Sequence, residues 1–477
     1  MNQHRLPFVT LSAAILVTGQ ALAQDCHDLD GVTAAAQALL QQSPLFGSSC
    51  VSIEQGGVLI YEQGFGSLGP TDVLPIASAT KTLSAAVLMS LVDDGLLKLD
   101  DPVGQYLPEW DYGAHAQITL RMCFAHTSGL PDNHPAVTDN ALTLREAAAQ
   151  LSSVPLDSTP GTEFVYGNVS MHVAGAVCEV VGGKPWEELF QERIAQPLGM
   201  TSTDYGDPAA YGANPLIAGG ARSNARDFAA FMAMLRNAGF VGDFGASEAV
   251  LSMWSVGEMC DEQTANAAMV RNVHPDEVPY GLGIWIEEQA SNGITRRATA
   301  AGAFGFTGWI DWKKDSSGVF AVQYLWPLVY PFTEQLEVAT DDALLPFGVT
   351  CLGTGSPACA DGTWLTANTA AFGSNSDFAL RVSQAPPFAP GWVALGDPFP
   401  SGLPIADLTA FVGPSFLFVA TAVTDGDGRA IVPAPLVQSL ASGGGTTFAL
   451  QTLWLGDDPC TALGLQASHA ITVKVGF

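Results

Sequence analysis

Basic residues are scarce in this chain. Its 477 residues include 18 Lys and Arg against 47 Asp and Glu, which gives a formal net charge of −29. Nucleic acids and anionic membrane surfaces carry the same sign of charge and would be repelled. We therefore expect neither as a partner, and we interpret the acidic balance as a solubility feature rather than as a site for a cationic ligand.

Several sequence patterns are also missing. Beyond the N-terminal segment, no apolar run is long and uninterrupted enough to span a bilayer. The absence of Gly-x-Ser-x-Gly argues against an α/β-hydrolase. The absence of His-Glu-x-x-His and of paired Cys-x-x-Cys argues against a zinc enzyme. We expect no metal ion and no organic cofactor.

The first residues are typical of a signal peptide. His4 and Arg5 supply the positive end, residues 6–17 the apolar run, and residues 21–23 (Ala-Leu-Ala) the cleavage site. We predict that residues 1–23 are removed during export to the periplasm or the cell exterior. Disulfides are then permitted among the eight cysteines, because the compartment is oxidising.

Sequence alone leaves the cysteine pairing open. The candidate pairs are Cys26 with Cys50 and Cys351 with Cys359. Cys123 and Cys178 lie in apolar helical patterns, where a buried free thiol is an equal expectation.

The composition divides the chain into two folded parts, as its length also suggests. Residues 24–352 alternate helix and strand signals, which predicts an α+β domain, with strand pairs suggested at Val51–Tyr61 and Tyr280–Glu287. No glutamate occurs after Glu337, and apolar runs there alternate with Gly, Pro, Ser and Asp turns. We expect a linker at 353–362 and an all-β sandwich of unknown role at 363–477. Its candidate strands are Phe378–Val382, Ser415–Val423, Thr446–Leu455 and Ala470–Val475.

Ser78-Ala79-Thr80-Lys81 opens the clearest predicted helix, Ser78 to Leu97, which Gly95 should end. A spacing of three residues places the serine hydroxyl beside the lysine amine on one helix face. Burial lowers the pKa of a lysine, so a neutral amine can take the serine proton. Ser-x-x-Lys is short enough to arise by chance, yet Lys81 alone among six lysines has a serine three residues before it.

Tyr166-Gly167-Asn168 is a second candidate element. A tyrosine near a lysine can relay protons, and an asparagine amide can hold a substrate carbonyl. The alternative is a turn tyrosine followed by a helix-capping asparagine.

Further segments occur in an order that resembles the β-lactamase-related serine hydrolases, a family of β-lactamases, penicillin-binding proteins and esterases. The resemblance covers roughly residues 40 to 345. The matching segments are His126–Leu130, Arg193–Met200, Gly219–Asp227 and Tyr280–Gly283. It implies a five-stranded antiparallel sheet flanked by helices, with the active site between the sheet and a helical subdomain.

The resemblance also implies roles for single residues. Ser78 would be the acylated nucleophile, Lys81 the general base and Tyr166 a proton relay to the leaving group. Asn168 would bind the substrate or Lys81. The backbone N–H of Ser78 would form one side of an oxyanion hole.

The other side would come from the last strand near Gly302 and Ala303, where the chain departs from the family pattern. The family's third motif reads Lys or His, a small residue, then Gly, but Thr299–Phe306 contains neither cation. Because that cation holds the substrate carboxylate, its absence puts β-lactam turnover in doubt. Arg296 or Arg297 could substitute, provided that the strand register points one of them at the site.

We therefore expect an exported serine hydrolase that cleaves a small ester or amide through an acyl-enzyme on Ser78. The alternative within the family is a DD-peptidase or β-lactamase acting on a peptidoglycan-like peptide or a β-lactam. An alternative of another class is an inactive surface or glycan-binding protein whose functional part is 363–477. Nothing in the sequence predicts the oligomeric state.

Overall fold

The computed structural model describes residues 27–42, 47–206, 214–241, 249–290 and 293–344. From residue 349 onward it describes the strands of a β-rich segment and few residues besides. The predicted signal peptide and linker lie outside the described residues. Within the described part, no helix is long and apolar enough to cross a membrane.

Ten strands are described before residue 345. In chain order they are β1 (Ser49–Gln55), β2 (Val58–Phe65), β3 (Leu74–Pro75), β4 (Glu163–Val165), β5 (Arg222–Ser223), β6 (Ala268–Arg271), β7 (Trp285–Gln289), β8 (Thr295–Ala301), β9 (Thr307–Asp311) and β10 (Ser316–Val322). Six of them form an antiparallel sheet in the order β2-β1-β10-β9-β8-β7. The expected number of five was wrong, because the meander after residue 284 adds four consecutive strands to the two of the N-terminal hairpin.

The helices cover this sheet. They are α1 (Asp30–Gln42), α2 (Thr80–Asp93), α3 (Leu120–Phe124), α4 (Leu144–Leu151), α5 (Val169–Gly182), α6 (Trp186–Phe190), α7 (Ala225–Arg236), α8 (Met253–Cys260) and α9 (Trp326–Ala343). Helices α1 and α9 pack together beside β1 and β2, whereas α7 packs against β1, β9 and β10. The predicted α+β class, an antiparallel sheet flanked by helices, is confirmed.

Strand β10 shows how the sheet is buried on both faces. Val319 and Ala321 join the larger core, with the helices that follow β2. Phe320 and Val322 join a second core with α1 and α9. Because successive side chains of a strand point to opposite faces, the unbroken apolar run of β10 serves two cores at once.

The predicted helix from Ser78 to Leu97 is shorter than expected. A 3₁₀ turn at Ala77–Ala79 leads into α2, which ends at Asp93. Gly95 has a φ of 68°, so it ends the helix as predicted. Nearly every side chain of α2 is buried, which is typical of a helix in the middle of a core.

Where a strand pair was predicted at Tyr280–Glu287, the structure has a single strand, β7, which begins at Trp285. Residues 280–284 instead form a turn against α2, where Thr82 Oγ1 donates a hydrogen bond of 2.6 Å to the Gly283 carbonyl. A Cβ at position 283 would lie 2.5 Å from the Lys81 carbonyl oxygen, and φ there is 77°. The turn therefore requires glycine and breaks the strand. The predicted pair at Val51–Tyr61 is confirmed as the β1–β2 hairpin.

Ten further strands are described from residue 349 onward. They are β11 (Val349–Leu352), β12 (Trp364–Ala367), β13 (Ala379–Ser383), β14 (Pro390–Gly396), β15 (Pro398–Ile405), β16 (Leu408–Val412), β17 (Leu417–Val423), β18 (Ala430–Pro433), β19 (Thr446–Leu455) and β20 (Leu465–Val475). The four predicted strands fall on β13, β17, β19 and the second half of β20. The ten strands form the sheets β11-β20-β19-β14-β17 and β12-β13-β18, and β15 pairs with β16. A separate sandwich domain with these strands stays a prediction.

The described cysteine side chains are unpaired. Buried free thiols are found at Cys50, Cys123, Cys178 and Cys260. For Cys123 and Cys178 this was one of the two alternatives that the sequence left open. The pairing of Cys50 with Cys26 is not supported, and Cys26 itself lies outside the described residues. Cys359 also lies outside them, so its pairing with Cys351 stays a prediction.

Gly318 allows a close cross-strand contact that should contribute to stability. It lies opposite Trp309, and a Cβ at position 318 would be 2.2 Å from Trp309 Cζ2. We expect Gly318→Ala to lower the free energy of unfolding by about 2 kcal/mol, because the buried indole must move. Urea denaturation measures this change.

The matched control is Gly257→Ala in α8, where a Cβ would have no atom within 4 Å. It should leave the free energy of unfolding unchanged or raise it by up to about 1 kcal/mol. Equal stability of the Gly318 variant and the wild type would contradict the packing described here.

Candidate active site

Ser78 lies on the 3₁₀ turn before α2, and both ends of that turn bind one residue of another loop. Ile76 N donates to the Ala221 carbonyl at 3.0 Å, and Ala221 N donates to Thr80 Oγ1 at 3.1 Å. Ala77 has a φ of 46°, a strained value for a residue with a side chain. The surrounding hydrogen bonds hold this conformation, which leaves Ser78 partly exposed between buried neighbours.

Lys81 lies one helical turn further along. Its Nζ donates hydrogen bonds to Ser78 Oγ at 3.1 Å and to the Ala218 carbonyl at 2.8 Å. The side chain is 1% exposed. Burial lowers the pKa of Lys81 to about 7, because the charged amine loses its hydration. The predicted neighbourhood of serine and lysine is therefore present, and near neutral pH the amine can lose its proton.

The Tyr166 ring lies over this pair. Lys81 Nζ is 4.6 Å from the ring centroid, and the ring stacks on Trp285 at 5.0 Å. Burial raises the pKa of Tyr166, while the hydroxyls of Ser78 and Tyr280 act as weaker hydrogen-bonding neighbours that lower it. Tyr166 therefore stays a neutral phenol over the physiological range, which suits a proton donor.

The backbone around Tyr166 is fixed from two sides. Tyr166 N donates to the Arg271 carbonyl at 3.1 Å, next to the pairing of β4 with β6. Asn168 N donates to the Asp132 carbonyl at 2.7 Å. A Cβ at Gly167 would lie 2.2 Å from that same carbonyl oxygen, so this position requires glycine.

The Asn168 side chain is half-buried at the start of α5. It makes no capping hydrogen bond, so the expectation of an ordinary helix cap does not hold. Lys81 donates to Ser78 and Ala218, and within the described residues it makes no hydrogen bond to Asn168. The amide is thus not committed to Lys81.

The segment after β8 lies against the Ser78 turn. A Cβ at Gly302 would lie 2.1 Å from the Ile76 carbonyl oxygen. Gly302 N donates to the Phe306 carbonyl at 2.8 Å, so this N–H is already used. The N–H groups of Ala303 and Ser78 have no acceptor among the described residues. Of the two residues expected near the oxyanion hole, Ala303 is the one with a free donor.

Neither Arg296 nor Arg297 is placed to replace the cation missing from the third motif. Arg297 binds Asp311 at 3.1 Å and Asp341 at 2.6 Å. Ala301 packs in the aromatic cluster around Tyr166. Arg297 precedes Ala301 by four residues, which is about 13 Å along the strand. Arg296 is exposed, with Glu288 at 3.8 Å. The expectation that either arginine substitutes is not supported.

Two neighbours of Tyr166 were not predicted from the sequence as site residues. His126 is buried with its ring 4.8 Å from Tyr166, and burial followed by the charge of Lys81 lowers its pKa. Tyr280, also buried, has its ring 5.2 Å from His126. Both stand in segments that only a family resemblance could single out. Among the described residues, no cluster of His, Cys, Asp and Glu could hold a metal ion.

This chain is similar to many known proteins. D-alanyl-D-alanine-carboxypeptidase/endopeptidase AmpH of Escherichia coli K12 is 33% identical over 144 residues, which are 28% of this chain and 37% of that protein. The chain thus spans little more than a third of this curated relative. A Bacteroides dorei protein assigned as a beta-lactamase is 28% identical, with a TM-score of 0.59 over 65% of this chain and 98% of that one.

The fold is shared more widely. A family VIII carboxylesterase is 19% identical, with a TM-score of 0.54 over 66% of this chain and 98% of that one, which shows the fold alone. The Beta-lactamase family model matches residues 36–325, more than half of the chain. The chain therefore belongs to the Beta-lactamase family, whose members are serine hydrolases.

Proposed function

We propose that this protein is an exported hydrolase that cleaves uncharged esters, and related amides, through an acyl-enzyme on Ser78. The observation that carries the proposal is the contact of 3.1 Å between Lys81 Nζ and Ser78 Oγ, together with a Lys81 pKa of about 7. Burial is the sole cause of that shift, since no charged neighbour contributes to it. A neutral lysine amine beside a serine hydroxyl is a general base beside a nucleophile.

Acylation begins when Ser78 Oγ attacks the substrate carbonyl carbon and its proton passes to Lys81 Nζ. The Ala218 carbonyl accepts a hydrogen bond from Nζ and so stabilises the ammonium that forms. The N–H groups of Ser78 and Ala303 would stabilise the oxyanion of the tetrahedral intermediate. When the intermediate collapses, the C–O bond to the leaving group breaks.

Tyr166 would donate its proton to the departing alkoxide and recover one from the Lys81 ammonium. Its neutral phenol, kept neutral by burial, suits this role. Water then attacks the acyl carbon and transfers a proton to the neutral Lys81 Nζ. As the bond between Ser78 Oγ and the acyl carbon breaks, Nζ returns this proton to Oγ, which releases the acid and the free Ser78 hydroxyl. The Asn168 amide would hold a substrate carbonyl.

The substrate class follows from the missing cation. The two residues before Gly302 are Ala300, buried in the main core, and Ala301, buried among aromatic rings. A substrate carboxylate would find no partner there, which favours uncharged esters. The second candidate is a DD-peptidase, favoured by the match to the carboxypeptidase and endopeptidase of Escherichia coli over 28% of this chain.

The domain assignment is part of the proposal. We propose that 24–352 form the hydrolase domain after removal of 1–23, and that 353–362 link it to a β-sandwich at 363–477. The contacts of Lys81 with Ser78 and with the Tyr166 ring argue against the alternative of an inactive binding protein.

Replacement of Ser78 tests the nucleophile. We expect Ser78→Ala to lower kcat/KM for nitrophenyl butanoate by about 10³-fold or more, because no acyl-enzyme can form. Absorbance of released nitrophenol measures the rate. Ser90→Ala is the matched control: Ser90 lies on α2, the helix that follows Ser78, and its Oγ donates to the Val87 carbonyl away from the site.

The same assay with nitrocefin separates the candidates. The proposal expects kcat/KM for this carboxylate-bearing β-lactam to be at least about 100-fold below that for the ester, since a charge-assisted contact is missing. Faster turnover of nitrocefin than of the ester would contradict the choice of substrate class but not the role of Ser78.

The pH dependence tests the general base. The neutral amine is the active form, so kcat/KM should rise about tenfold per pH unit below pH 7 and level off above it. Lys81→Arg should remove this rise and lower kcat/KM by about 10²- to 10⁴-fold, because guanidinium stays protonated. A rate that rises steadily to pH 10 would be inconsistent with a base of pKa near 7.

A further inference from the structure

Several exposed apolar side chains lie on segments beside the candidate site. Six of them come from two segments that contact the residues assigned to catalysis, and we name them the apolar rim. They are Met269, Val270, Val273, Phe304, Leu325 and Leu328, each at least 40% exposed. Exposed apolar surface beside a reactive group often marks a binding site.

One part of the rim is joined to the proposed oxyanion hole. Phe304 directly follows Ala303. Tyr324 N donates to the Phe304 carbonyl at 2.8 Å, and Trp326 N donates to the Ala303 carbonyl at 2.9 Å. These bonds hold Leu325 beside Phe304, and Leu328 follows in the first turn of α9.

The other part is joined to Tyr166. β6 carries Met269 and Val270, and the Arg271 carbonyl accepts the hydrogen bond from Tyr166 N. The chain then runs past Val273 to His274, whose ring packs on Trp326 at 5.5 Å. The Tyr330 hydroxyl donates to Asp276, which ties this segment to α9.

The rim carries little charge in a protein whose net charge is −29. No charged residue occurs in 298–310 or in 316–333. On the β6 side, Arg271 pairs with Asp132 and Asp276 accepts from Tyr330, whereas Glu277 is exposed to solvent. Such a surface favours an uncharged apolar group over an ionic one.

We propose that the apolar rim binds the acyl chain of the ester substrate, so that the enzyme prefers medium-length acyl chains to short ones. This inference rests on the proposed function. An acyl carbon bound to Ser78, with its oxygen at Ala303 N–H, has its chain within reach of Phe304 and Leu325. Each methylene buried there adds up to about a fourfold gain in kcat/KM.

The test compares nitrophenyl octanoate with nitrophenyl butanoate below their aggregation limits. We expect kcat/KM for octanoate to exceed that for butanoate by at least about tenfold. The double variant Phe304→Ser/Leu325→Ser should reduce this ratio below about threefold. Its fold should be retained, because both side chains are exposed and position 325 precedes α9, where serine is a favourable cap.

The matched control is Leu96→Ser, which removes an exposed leucine on the loop after α2. It should keep the wild-type ratio. A wild-type ratio near one, or a high ratio that survives the double variant, would overturn the inference while leaving the proposed function intact. A wild-type dimer that the double variant dissociates in analytical ultracentrifugation would also overturn it, since the rim would then bind a second copy.

Binding to Ser78→Ala separates the two proposals. Calorimetry with methyl octanoate and methyl butanoate needs no hydrolysis. If wild type hydrolyses neither ester, the proposed function fails, yet tighter binding of octanoate that is lost with the rim residues would still support the rim. Equal binding of both methyl esters would overturn it.

Discussion

The site depends on burying one amine without a counter-charge. Lys81 is buried in the core of the helical part on a helix that has no other charged residue before Asp93, and its polar contacts are a hydroxyl and a backbone carbonyl. A carboxylate at this place would keep the amine protonated and remove its basicity. Burial of the amine lowers the stability of the folded protein, because the amine loses its hydration. The same burial makes Lys81 a base that is active near neutral pH.

The rest of the fold supports that burial. The turn at 280–284 packs glycine backbone against α2 at Lys81 and Thr82, and the stacked Tyr166 and Trp285 cover the amine from the other side. The loop with Ala218 and Ala221 supplies one acceptor to Lys81 and fixes both ends of the Ser78 turn. These contacts join segments far apart in the chain.

The sequence predicted what local spacing determines. The Ser78–Lys81 neighbourhood follows from a helical repeat, and the β1–β2 hairpin and β19 follow from alternating apolar residues. The sequence did not predict features that depend on backbone contacts between distant segments. Nothing in the local sequence indicates that Gly283 lies against the Lys81 carbonyl and interrupts a strand, or that the Gly302 N–H is already hydrogen-bonded. The sequence also did not predict the ion pairs of Arg297, because its carboxylate partners lie on β9 and α9, which are separate from β8 in the chain.

The ionisation of Lys81 can be observed directly, since the chain has six lysines. Lysine labelled with ¹³C at Cε, followed by NMR from pH 5 to 11, resolves each titration, and Lys81→Arg assigns the signal. The account predicts one resonance that titrates near pH 7, well below the ordinary lysine value of 10.5. Six resonances that all titrate above pH 10 would contradict it, because Lys81 would then be a cation at neutral pH and could not deprotonate Ser78.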